Sequence, residues 1–81
     1  MDVKTVQGWL QYKNIIPIEK ISYADEEVIN IEYHRIYDMF EDIRKLVEYG
    51  IRFWVCPGSQ DEDVSIEIIL TDTDWEQVTK Q

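Results

Sequence analysis

Cys56 and His34 are the only cysteine and the only histidine in the chain, and they are the one pair able to make an activated thiol with its base. That chemistry needs the imidazole within hydrogen-bond reach of the sulfur and a third group to orient it. His34 falls at a boundary between elements, and Cys56 closes a strand before a turn. Nothing in the sequence brings the two together, so they read as a half-exposed histidine and a semi-buried thiol. A zinc site asks for about four Cys, His or carboxylate ligands at short spacings, and one of each falls short. Asp72-x-Asp74-x-Glu76 resembles the opening of a calcium loop. It lacks that loop's glycine turn and distal glutamate, and helix capping explains the same residues. Asp61-Glu62-Asp63 would hold a cation only as loosely as any acidic loop. The sequence has no glycine-rich phosphate loop, no GxSxG and no HExxH. Acid–base work by paired carboxylates needs a pocket, and a chain of 81 residues has little volume left for one after filling its core. The expectation is a protein with no catalytic residues, no cofactor and no metal.

Charge is the stronger signal. Seventeen acids against eight bases give a net charge of −9. Residues 1–24 are nearly neutral, and residues 25–48 hold eight acids against Arg35, Arg44 and Lys45. Residues 61–76 hold Asp61, Glu62, Asp63, Glu67, Asp72, Asp74 and Glu76 with no base at all. A field of that sign repels polyanions, so direct binding to nucleic acid or to an acidic membrane face is disfavoured. It attracts a basic protein surface, although solubility alone would also account for it. No apolar run is long enough to cross a bilayer, and MDVKTVQGWL lacks the layout of a secretion signal. A single cysteine fits a reducing, cytoplasmic compartment.

These residues must be positioned by a few short elements. A helix is predicted from Val3 to Lys13, with Val6 and Leu10 on one stripe, Trp9 widening it and Asp2 as N-cap. Ile15–Tyr23 reads as extended, an edge strand because Pro17 lacks a donor. Residues 26–34 admit two readings, the start of a long helix or a strand from Val28 to Tyr33. The β-branched content of Val28, Ile29 and Ile31 favours the strand. The central helix, about 35–49, carries a stripe of Ile36, Phe40, Ile43 and Val47 flanked by Met39 and Leu46. Glu41 and Lys45 lie on its wet side, and Gly50 stops it. A hairpin follows: Ile51, Phe53 and Val55 alternate with Arg52, Trp54 and Cys56, Pro57-Gly58 suits a type II turn, and Val64–Leu70 alternates clearly. Thr73-Asp74-Trp75-Glu76 fits a capping box for a last short helix.

The expected fold is α+β: a single small two-layer domain over 1–81, a short, largely antiparallel sheet packed against the central helix with short N- and C-terminal helices. The second sheet face then shows Arg52, Trp54, Glu67 and Ile69, large apolar groups among charges, unless the first or last helix with Trp9 or Trp75 covers them. The functional expectation is a non-enzymatic acidic protein-binding inhibitor using Trp54, Asp61, Glu62, Asp63, Glu67, Ile69, Asp72 and Asp74. Its carboxylates would imitate a DNA or RNA phosphate row, as phage-encoded blockers of host nucleic-acid-binding and defence enzymes do. An immunity protein or antitoxin for a basic toxin would share these electrostatics, and a small regulatory or assembly subunit that self-associates is the third reading.

Overall fold

The computed structural model describes residues 2–58, 60 and 62–81. Helix α1 spans Val3–Tyr12, and its Asp2 carboxylate accepts the Thr5 N–H at 2.8 Å, the expected N-cap. It stops in a left-handed clasp. Asn14 takes φ 57°, its N–H bonds the Gln11 carbonyl, and Ile15 N–H reaches back to Leu10. Helix α2, Ile36–Glu48, ends in the same way: Gly50 takes φ 75°, Gly50 N–H bonds Val47 and Ile51 N–H bonds Leu46. In both clasps the isoleucine after the turn and the leucine it bonds are buried, so the cap also seals the core.

Four strands form one antiparallel sheet: β1 (Tyr23–Ala24), β2 (Val28–Tyr33), β3 (Trp54–Pro57) and β4 (Val64–Ile69), in the order β1-β2-β4-β3. β2 and β3 both run antiparallel to β4, so they are parallel to each other, and α2 carries the chain between them over β4. This is a split β-α-β unit. Alternation sets the faces. Ile29, Ile31 and Tyr33 lie opposite Ile68, Ile66 and Val64 on the face that α1 and α2 cover. A 3-10 turn at Leu70–Asp72 leads to helix α3, Trp75–Val78, whose Trp75 Nε1 donates to the Leu70 carbonyl at 2.7 Å. The chain is thus a small α+β fold with its helices on one sheet face. Among the described residues, no helix is long and apolar enough to cross a membrane.

Several local expectations are corrected. Ile15–Tyr23 is not a strand: Ile15 and Ile16 drop into the core and Pro17 caps a 3-10 turn at Ile18–Lys20, held by the Gln11 Oε1 accepting the Ile18 N–H. Only Tyr23–Ala24 pairs, against β2. Residues 28–33 are a strand, not the start of a long helix. Pro57 belongs to β3 opposite Val64, and Gly58 N–H bonds the Asp63 carbonyl at 3.0 Å, so the reversal lies beyond the Pro-Gly pair. A Cβ on Gly58 would come within 2.5 Å of the Asp63 Cβ, which is why glycine stands there. Asp74, not Thr73, caps α3, since the Thr73 hydroxyl accepts the Arg52 N–H instead.

The largest correction concerns α2. Its inner face is Met39, Asp42 and Leu46, while Ile36, Phe40 and Val47 are about half or more exposed and Ile43 is shared between the two. The helix is rolled by roughly a quarter turn from the apolar stripe its spacing suggests. The physical cause is Asp42, which points inward to accept the Tyr33 hydroxyl at 2.6 Å and to pair with Lys20 Nζ at 2.7 Å. Lys45 does not serve a wet-side pair but donates to the Asn14 carbonyl. Val55, expected in the core, is 53% exposed because α2 does not reach over the edge strand.

Candidate functional site

The acids gather by position in the fold rather than by position in the sequence. In the turn between β1 and β2, Asp25 accepts the Glu27 and Val28 N–H groups and the Tyr23 hydroxyl. Those bonds, led by the Glu27 amide, hold its carboxyl below the usual aspartate range. The turn pushes Glu26 and Glu27 out to solvent, and the Glu27 carbonyl is tied to the Leu70 N–H at 2.9 Å. That bond brings the turn beside the segment carrying Asp72, Asp74 and Glu76, all exposed. Glu26, Asp74 and Glu76 line one shallow hollow with Leu70, Thr71, Thr73 and Trp75, and no basic residue lines it. Carboxylates from two sequence blocks therefore meet at one end of the sheet.

Glu62 and Asp63 lie at the other end of β4, a six-residue strand and so about 20 Å away. Asp61 lies outside the described residues. Glu62 is exposed, but the Asp63 side chain is turned inward and bonds His34 Nδ1 at 3.1 Å. That hydrogen bond raises the imidazole pKa above its ordinary 6.5. Glu67 sits mid-strand opposite Trp54 and accepts the Cys56 thiol at 3.0 Å. The bond to Glu67, with partial burial, pushes the Cys56 pKa up, which keeps the sulfur as thiol and away from nucleophilic use. His34 and Cys56 thus serve different carboxylates. Trp54 is 62% exposed, whereas Trp9 packs edge-on to Tyr49 and Trp75 is buried, so neither covers it. Ile69 shares that sheet face, half-buried opposite Val28.

Two features escaped the sequence reading. The first is the convergence of Glu26 and Glu27 with Asp72–Glu76, which depends on β2–β4 register. The second is an apolar flank of α2 made by Ile36, Phe40 and Val47, all about half exposed or more, with Val55 of the edge strand β3 also exposed. The stripe itself was legible; that it faces outward was not. Among the described residues, no group of three or more His, Cys, Asp or Glu side chains is placed to hold a metal ion. No family model, no curated protein and no solved structure matches the chain.

Proposed function

We propose that the chain is a non-enzymatic acidic protein-binding inhibitor, which presents its carboxylates to the basic surface of a protein that handles nucleic acid. The observation that carries this reading is the acidic end: Glu26, Asp74 and Glu76 line one hollow that no base lines among the described residues, Glu27 and Asp72 are exposed beside it, and Arg52 and Lys4 stand only at its borders. Strong local fields of one sign steer a complementary surface at long range and repel nucleic acid itself. Exposed Trp54 on the open sheet face supplies an aromatic group able to add desolvated contact once electrostatics has brought a partner close. Phage-borne antagonists of host defence enzymes fit this chemistry as a class.

The test is capture of partners from the lysate of the cell that carries the gene, at low and at high salt, with duplex DNA or RNA as competitor. A basic nucleic-acid-binding protein retained at low salt, released at high salt and displaced by nucleic acid supports the reading. The variant Glu26→Gln/Glu27→Gln/Asp72→Asn/Glu76→Gln, which leaves the α3 cap at Asp74 intact, should weaken capture at least tenfold. Retention that ignores both salt and the four substitutions refutes it.

A further inference from the structure

β3 is a sheet edge, paired with β4 on one side only. In an antiparallel ladder, bonded and non-bonded pairs alternate. The Gly58 N–H bonds Asp63, so Cys56 and Trp54 also turn their backbone groups toward β4. Phe53, Val55 and Pro57 then turn theirs outward. Pro57 has no N–H to offer there, as suits an edge. Beside this edge, and on the same sheet face as Val55, stands the outer flank of α2. The α1 side of α2 is occupied: Asp42 meets Lys20, Lys45 reaches Asn14, and Tyr49 packs on Trp9. Ile36, Phe40 and Val47 lie on the opposite flank, and because α2 packs on β2 and β4 with β3 the next strand along, that flank is the one nearer β3.

We propose that this face joins two copies of the chain in a two-fold homodimer, through antiparallel pairing of β3 with β3 of the second copy, centred on Val55. The edge is self-complementary in that register. Each Val55 donates to and accepts from its counterpart, and each Phe53 N–H meets the Pro57 carbonyl of the other copy, the one outward group there that needs no reciprocal donor. The same register sets Arg52 across from Gly58 of the second copy, beside the loop that carries exposed Glu62, so a base meets an acid at either side of the axis. The antiparallel arrangement keeps the two acidic ends apart, and Arg52, which lines a hollow with Asp72 and Asp74, stands between each acidic end and the loop of the second copy that carries Glu62.

Ile36, Tyr37, Phe40, Val47 and Val55 are each about half exposed or more. Together they offer on the order of 500 Å² per chain, which with the paired β3 backbone reaches the lower end of specific interfaces. Arg44 and Glu48 are the exposed charges of α2 beside the apolar residues of this flank, so the flank is close to neutral in an otherwise acidic molecule and suits a neutral partner face better than a basic one.

Sedimentation equilibrium in physiological salt tests the inference independently of any inhibitory partner. The chain should run at twice its 9.7 kDa mass. Phe40→Glu replaces an exposed side chain, and Val55→Pro removes the outward N–H and the valine side chain at the centre of the pairing while leaving the bonds from β3 to β4 in place. Each should weaken self-association about thirtyfold or more, while circular dichroism and melting show the fold retained. The two variants test flank and strand separately, so either one alone is informative if the other fails to fold. Paired Val55 residues in a bonded antiparallel pair place their Cα atoms ~5.5 Å apart, within disulfide range. The double variant Val55→Cys/Cys56→Ser should therefore oxidise to a covalent dimer, and a Glu48→Cys/Cys56→Ser control should not. A wild-type chain that stays monomeric at submillimolar concentration overturns the proposal, as does a dimer unaffected by both folded variants. Loss of lysate capture by the acidic-end variant with the dimer intact would separate the two readings.

Discussion

Burying a carboxylate is costly unless it is paired and hydrogen-bonded, and Asp42 sits at 3% exposure on the inner face of α2. The Tyr33 hydroxyl and the Lys20 ammonium both meet the Asp42 Oδ2, one by hydrogen bond and one by charge, and Lys20 also lies 5.3 Å over the Tyr33 ring. Burial first, and then the bond to Asp42, raise the Tyr33 hydroxyl well beyond the ordinary tyrosine range, so it remains a donor at every physiological pH. Asp42→Ala should destabilise the fold by about 2–3 kcal/mol, because it orphans a buried hydroxyl and strips a charged partner. Asp42→Asn should cost less, since it keeps an acceptor for Tyr33. Urea denaturation of the three chains would check the order. His34 offers a pH test of the other end. Its folded pKa is raised by Asp63, so its contribution to stability is full below about 6.5 and disappears as pH rises through the folded value. Proton NMR should place the imidazole above 6.5, and Asp63→Asn should bring it back toward that value. Neither partnership was legible in the sequence: Asp42 carried the signature of a wet-side residue, and Asp63 sat in an acidic run that looked wholly solvated.

At the scale of elements, local chemistry was read well and orientation poorly. The Asp2 cap, the Gly50 stop, the choice of strand for Val28–Tyr33 and the β4 alternation each rest on a few adjacent residues, and the structure has them all. The face of α2 rests instead on Tyr33 and Lys20, distant in sequence, which make Asp42 an inward residue. Spacing alone therefore selected Ile36, Phe40 and Val47 for the core, and the actual core face is one step around the helix. The roll has a measurable signature. Leu46→Ala, at full burial, should cost about 2–4 kcal/mol. Phe40→Ala, at 50% exposure, should cost less than about 1 kcal/mol to the isolated fold when both are measured in dilute, monomeric solution. Equal losses would mean that Phe40 is held inward.

For the whole molecule, the question is where a charge of −9 resides. Register decides it: the run of acids from 61 to 76 is divided by the length of β4, and its second half is joined instead by Glu26 and Glu27 from the opposite strand pair. The sequence showed how much acid there is, while the pairing of β2 with β4 determines which acids face a partner together. Crowded like charges at one end oppose compaction, so raising sodium chloride from 10 mM to 0.2 M should lift the melting temperature by several degrees as the screening length falls toward ~8 Å. The gain should shrink in the four-residue acidic-end variant; a melting point indifferent to salt would show that the acids repel one another too weakly to matter. The twin clasps at Asn14-Ile15 and Gly50-Ile51 have a consequence of a different kind, in the order of events during folding. Each is written in six neighbouring residues, Leu10–Ile15 and Leu46–Ile51, and closes without any help from the sheet. The β2–β4 ladder, by contrast, must join residues more than thirty positions apart. Helix ends of this sort form within about a microsecond, whereas strands so separated wait on the closure of a long loop. Both helices can therefore acquire their ends while the chain is still open, and the slow step left to the molecule is the meeting of Ile29 and Ile31 with Ile68 and Ile66.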